Sequence, residues 1–375
     1  MIIKNATVFC EDGVFREGEV YVSGQYFASE AGGQAIDAKG AYLIPGLIDI
    51  HLHGCHGFDF SDGGMDSVIG MIEYELRHGI TTILPTSMAI AKEDILRAAR
   101  SIGQVFDSDY TYKSVLAGMN MEGPFLSVDR CGAQDPKHLM EPDLEFLFKV
   151  HRQTGNRLKL CTIAPELEGA SEFIKGASKE LVVSIGHTDA DYQTAKNAFG
   201  YGASHVTHLY NAMPGLGHRN PSVIGAASEE KNVYAELICD GEHVHPAAIR
   251  AAFALFSRER IVLISDSMRA TGCQDGIYDL GGQDVLVSGS RASLRNGSLA
   301  GSVTNLMDAV RFLYHNKCIS LNDSIYCASA SAAKSIGMYD MIGSISAGKY
   351  ADFVMLDKET LAIKSIYKRG DIVSG

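Results

Sequence analysis

The chain has 375 residues, 46% of them apolar and 21% charged, an ordinary soluble composition with room for a large core and one accessory unit. Its formal net charge of −12 argues against nucleic acid or an anionic membrane as a partner, and no apolar run approaches the roughly 18 residues of a membrane span. Eight scattered cysteines without a C-x-x-C read as reduced thiols, and the opening MIIKNATVFCEDG carries an acid and no long apolar core; a cytoplasmic protein with no signal peptide is expected.

Residues 1–44 read as short β segments, MIIKNATVFC, EVYVSG and one ending AKGAYLI, with glycines at the turns between them. Stretches 352–357 and 363–367 are strand-like in the same style, so the two chain ends are expected to form one small β-sandwich that the middle interrupts. Between them lie eight apolar runs, 47–51, 80–85, 115–121, 158–164, 181–185, 205–209, 233–239 and 261–265. Amphipathic stretches at 65–77, 92–105, 144–154, 190–199 and 246–256 separate them. Continuous apolar runs fit strands covered on both faces, and eight of them alternating with helices predict a parallel (β/α)8 TIM-type barrel. A doubly wound open sheet is the alternative, but no G-x-G-x-x-G follows an early strand. The expected division is 1–45 and 343–375 for the sandwich and 46–342 for the barrel. After the eighth run a turn-rich stretch, YDLGGQDVLVSGSRASLRNGSLAGS, predicts a hairpin insertion, and 306–314 and 325–336 read as closing helices.

In a barrel of this kind the chemistry collects at the C-terminal ends of the strands. The first run, in PGLIDIHLHG, ends with His51 and His53, two apart and therefore on one side of a strand. Imidazole is a common ligand of zinc, iron and nickel. The third run ends at Glu122 (MEGPF), the fifth leads to His187 (SIGHT) and the sixth carries His208 (THLYNAMP). The seventh leads to Asp240 and His243 (CDGEHV), and the eighth ends at Asp266 (LISDS). Any one of these residues alone is an ordinary satisfied histidine or capping acid. Six strand ends carrying them together point to a catalytic metal site, with one ion on three ligands or two ions sharing a carboxylate. His78, His151 and His315 lie in helical stretches and read as surface residues; His56, His138, His205 and His245 are left undecided.

Together PGLIDIHLHG, MEGPFLS, TIAPE, GHT, THLYNAMP, DGEHV and SDSMRATG resemble the N-acetylglucosamine-6-phosphate deacetylases of the amidohydrolase superfamily, in family order across nearly the whole chain. The resemblance implies hydrolysis of the acetamide of an amino sugar phosphate, a metal-bearing barrel with a terminal β-sandwich, and a homodimer. It implies Glu122, His187 and His208 as ligands of the main metal, and His51 and His53 as ligands of a second. One or two divalent ions, zinc or iron, are therefore expected per subunit. Asp266 resembles the acid–base residue, and His243 the group that contacts the sugar and the carbonyl. Asn211, Ala212 and Arg219 resemble the phosphate-binding segment, with Arg219 reaching across the dimer. Gln134 stands where some members have His, and Arg130 and Cys131 replace a commonly basic pair, a departure that bears on phosphate contact from that loop.

Three other readings bear comparison. The N-acetylgalactosamine 6-phosphate epimer differs by one hydroxyl. Cyclic-amide hydrolases usually bridge their metals with a carboxylated Lys near the fourth strand end, where this chain has Pro165 and Glu166. A non-enzymatic binding protein of the same fold would be expected to have lost ligands or Asp266, and none is missing.

Overall fold

The structure, a computed structural model, describes residues 1–374. Eight parallel strands form the central sheet: Leu47–Leu52, Ile80–Ser87, Met119–Glu122, Leu158–Ile163, Val182–Ile185, His205–Val206, Tyr234–Ile238 and Ile261–Ile264. Each pairs with the next in chain order. The eighth returns beside the first, where Asp266 N–H donates to His51 O (2.9 Å) and Ser265 N–H to Asp49 Oδ1 (3.4 Å). All six residues of the first strand are buried, as a strand covered on both faces requires. A fully buried Leu or Ile contributes roughly 1.5–3 kcal/mol, so Leu47, Ile48, Ile50 and Leu52 help to hold the ligand-bearing strand in place.

The expected elements recur with shifted edges. The third run enters as a 3-10 turn at Lys113–Val115, and only Met119–Glu122 joins the ladder. The sixth strand is two residues long, because the chain leaves the ladder after Val206 and His208 takes a φ of 28°. Two helices, Ala170–Ala177 and Ser222–Glu229, complete the α/β alternation where no helix was expected; both are only eight residues. The hairpin insertion has a third strand, giving Gly276–Leu280, Gln283–Ser288 and Arg291–Leu294. The second closing helix begins earlier, at Leu321–Tyr326, and runs through a wide turn at Cys327–Ser331 into Ala332–Ser335.

Both chain ends join one separate eight-stranded sheet. Its seam is the antiparallel pairing of Phe353–Leu356 with Tyr42–Pro45, in which Phe353 faces Pro45 and Val354 faces Ile44. Ile3, Val20, Val22, Phe27, Leu43 and Phe353 build its own core. The seam fixes the entry to the first barrel strand, since Pro45 is two residues from Leu47. Among the described residues no helix is long and apolar enough to cross a membrane.

Candidate functional site

Strand alternation sends His51 and His53 to the same side, and both are buried at the C-terminal end of the barrel. Gly54 allows the chain to leave: a Cβ there would run into the carbonyl of Phe58 and the amide of Arg269. Glu122, the last residue of the third strand, lies at the centre. Its Oε1 is 3.1 Å from His187 Nε2, 2.9 Å from His208 Nε2 and 3.4 Å from His51 Nε2, and its Oε2 is 3.3 Å from His53 Nε2. Asp266 Oδ1 stands 3.1 Å from His53 Nε2 and 3.6 Å from His51 Nε2. His187, His208 and Asp266 all have positive φ, as do Tyr210 and Ala212. Non-glycine residues in that region carry strain that only a well-packed surround sustains, and such residues cluster at functional sites.

The donor set fits a divalent cation. His51 Nδ1–H donates to Glu236 Oε2 (2.9 Å), His53 Nδ1–H to Thr86 O (3.1 Å) and His187 Nδ1–H to Arg130 O (3.0 Å). Each bond fixes a tautomer that presents an Nε2 lone pair to the centre, the arrangement of a metal-binding imidazole with an outer partner. His51 Nε2 is buried without a hydrogen-bond partner, and the Nε2 atoms of His187 and His208 face each other at 3.1 Å. The ligand atoms of Glu122, His187 and His208 lie within 4.8 Å of one another, as do those of His51, His53 and Asp266.

The electrostatics run the same way. Burial alone depresses the His51 imidazole, yet Glu236 and Glu122 outweigh it and hold its pKa well above the ordinary value. Burial likewise opposes the charged form of His53, but Asp266 and Glu122 raise it to about 10. The site draws positive charge inward, as protons or as a cation.

These groups open onto a cavity of about 300 Å³. Asn211, Ala212, Gln134 and His243 line it, together with Met88 and with Leu280 of the three-stranded insertion. His243 Nδ1–H donates to Asp240 Oδ2 (2.7 Å), which leaves Nε2 as the ring's remaining polar atom.

An amidohydrolase family pattern matches residues 42–373. A Bacillus subtilis N-acetylglucosamine-6-phosphate deacetylase is 35% identical over 384 aligned residues, covering 99% of this chain and 96% of that protein. The chain belongs to the amidohydrolase family. An Escherichia coli N-acetylgalactosamine-6-phosphate deacetylase is 34% identical to this amidohydrolase, covering 88% of each chain. A solved Mycobacterium smegmatis N-acetyl-D-glucosamine-6-phosphate deacetylase, an aspartate-to-alanine variant in complex with N-acetyl-D-glucosamine-6-phosphate, superimposes with a TM-score of 0.92 at 29% identity. It covers 100% of this chain and 99% of its own.

Two of the residues singled out in the sequence sit differently within the amidohydrolase site. Gln134 lines the cavity, but its amide is engaged inward: Nε2–H donates to Glu122 Oε2 (2.6 Å) and Oε1 accepts from Ala89 N–H (2.7 Å). Arg219 is exposed and does not line the cavity. Of the undecided histidines, His205 is fully buried, whereas His56 and His245 are exposed.

The sequence reading missed Glu236 and Asp49. Glu236 is fully buried in the seventh strand; its Oε2 accepts from His51 Nδ1–H and also from the backbone N–H of His208 (3.2 Å). One oxygen thus steadies a member of each ligand group. Burial disfavours its charge, yet His51 and His205 hold its pKa down at about 2. Asp49, two residues before His51, accepts from His51 N–H (3.2 Å), and burial pushes its carboxyl up to about 6. Glu236→Gln is expected to weaken metal affinity by about 10–100-fold, the usual loss when an outer partner of a metal-binding histidine is changed. Chelator competition with metal analysis checks this; unaltered affinity would leave Glu236 a packing residue.

Proposed function

We propose that this amidohydrolase hydrolyses the acetamide of N-acetyl-D-glucosamine 6-phosphate to glucosamine 6-phosphate and acetate, in amino sugar catabolism in the cytoplasm. The observation that carries the reading is the convergence of Glu122, four histidines and Asp266 on one cavity, in a chain whose full-length relatives are named for this deacetylation. All eight cysteines are free, which suits a reducing compartment.

Glu122, His187 and His208 would hold the main divalent ion, and His51 and His53 a second one that shares Glu122; zinc and iron both suit this donor set. Such an ion supplies Lewis acidity and lowers the pKa of water toward neutrality. Asp266 accepts the proton of the attacking water as the acetamide carbon becomes tetrahedral. Asp266 then returns that proton to the nitrogen, because expulsion of an anionic amide is prohibitively unfavourable. Burial opposes a charged His243, but Asp240 outweighs it and raises its pKa, so its Nε2–H can donate to the developing oxyanion.

The phosphate needs positive charge, and among the described residues lining the cavity none is Lys or Arg. In a homodimer the partner subunit's Arg219 would supply a planar fork suited to a phosphate dianion, beside Asn211 and Ala212. The Escherichia coli relative makes the galactosamine epimer the second reading. Acetate release should be measured on both sugar phosphates and on unphosphorylated N-acetylglucosamine, with wild type and with Arg219→Ala. The gluco epimer should have the higher kcat/KM, and the variant should raise KM about tenfold or more for phosphorylated substrate only. A higher kcat/KM for the galacto epimer would reverse the assignment, and an unchanged KM would remove Arg219 from the site.

A further inference from the structure

A second cavity, of about 270 Å³, lies at the opposite end of the barrel, where the sheet of the chain ends meets the starts of the second, third and fourth barrel strands. Four cations line it, Arg157, Lys159, Lys368 and Arg369, against one carboxylate, Asp352. Lys368 is buried and committed: its Nζ donates to Asp352 Oδ2 (2.8 Å) and to Thr81 O (2.8 Å). Arg157, Lys159 and Arg369 have no salt-bridge partner among the described residues. In a chain of net charge −12, three unpaired cations around one small cavity are a local reversal of sign.

The two guanidiniums are also held in place. Arg157 Cζ lies 4.3 Å from the centroid of the Phe106 ring, and Arg369 Cζ lies 4.3 Å from that of Tyr350. Stacking uses the flat face of a guanidinium and leaves its in-plane N–H donors free to bond. Nη1 of Arg157 donates to Gly155 O (3.0 Å) and Nη1 of Arg369 to Gln25 Oε1 (3.5 Å), and the remaining donors are not so engaged. Arg369 Nε is buried and has no hydrogen-bond partner. A buried donor of this kind is unfavourable until an acceptor reaches it, and an anion supplies both acceptor and charge. Leu116 and Met341 add apolar wall.

We propose that this cavity is a second ligand site, separate from the catalytic one, that takes a compact phosphate monoester. The dianion sits among Arg157, Lys159 and Arg369, and the ring that carries it lies against the apolar wall. The volume falls just below the roughly 300–1,000 Å³ of drug-sized sites, which restricts the occupant to a small metabolite. A sugar phosphate and a nucleoside monophosphate share this chemistry, and the test separates them.

Equilibrium dialysis of the metal-loaded protein against inorganic phosphate should give about two equivalents per chain, one for each cavity. The Arg157→Gln, Arg369→Gln double variant should retain about one, with kcat/KM for the acetylated sugar phosphate unchanged. Equal stoichiometry in the two proteins would overturn the proposal. Should the double variant fail to fold, Lys159→Met serves instead, with phosphate binding at this site expected to weaken about tenfold; unchanged binding would likewise overturn it. Glucosamine 6-phosphate and adenosine monophosphate are then titrated separately. Whichever displaces, at lower concentration, the phosphate equivalent that wild type holds and the double variant lacks names the class, and failure of both would overturn the ring-bearing part of the inference.

Discussion

Glu122→Gln is expected to empty the metal site and abolish turnover together. Between them its two oxygens lie within 3.4 Å of all four histidine Nε2 atoms, and three of those nitrogens meet on Oε1. An amide removes the negative charge and replaces one of the two ligating oxygens with an NH2 group that has no lone pair to offer a cation. The loss of metal affinity should exceed the roughly 10–100-fold typical of an outer-shell partner, since Glu122 would touch both ions. Stability should follow. An ion that binds only the folded state at about 100 times its Kd contributes about 2.7 kcal/mol, so chelated wild type and Glu122→Gln should melt at similarly reduced temperatures. Elemental analysis, acetate-release kinetics and thermal unfolding with and without chelator check the three parts. A variant that kept full metal content and full turnover would remove Glu122 from the ligand set.

What made the site legible in the sequence was its spacing along the barrel. Parallel strands are apolar along their whole length, so a polar residue just past a run stands out, and His51, His53, Glu122, His187, His208 and Asp266 all did. Glu236 carried a weaker signal. It is a single acid inside YAELI, a run buried on both faces, and a buried charge demands a partner. The partner, His51, is 185 residues away, so the run could announce a need without naming what meets it. Asp49 was hidden in the same way within LIDIHL. The two unexpected helices failed for a different reason. Eight residues give barely two turns, too short for a convincing period, and tertiary packing rather than intrinsic preference stabilises helices of that length. Arg219 marks a further limit, because its motif implies phosphate while its position within one chain offers none.

Asp266→Asn should leave the fold and most of the bound metal intact while lowering kcat by about 10²–10⁴-fold, the range of positioned acid–base groups. Burial alone would raise the Asp266 carboxyl, but His53 and His51 outweigh it and hold its pKa below the ordinary carboxylate range. The group is therefore ionised at neutral pH and ready to accept a proton. It stands at the right place to do so, on the cavity wall and 3.1 Å from His53 Nε2. Asparagine keeps the shape and the side-chain carbonyl but can neither take the proton from water nor return it to the amine. The distinction from a ligand mutation lies in the pattern. Losing a proton carrier should reduce kcat and kcat/KM together with little change in KM, because substrate binding does not need the proton. Losing a ligand would instead be reversed in part by excess metal. Asp266→Asn should show no such rescue at any metal concentration, and its residual rate should lose the acidic limb that titration of the carboxylate gives the wild type. Near-normal kcat, or recovery on adding metal, would assign the proton transfer to another group and leave Asp266 as a ligand alone.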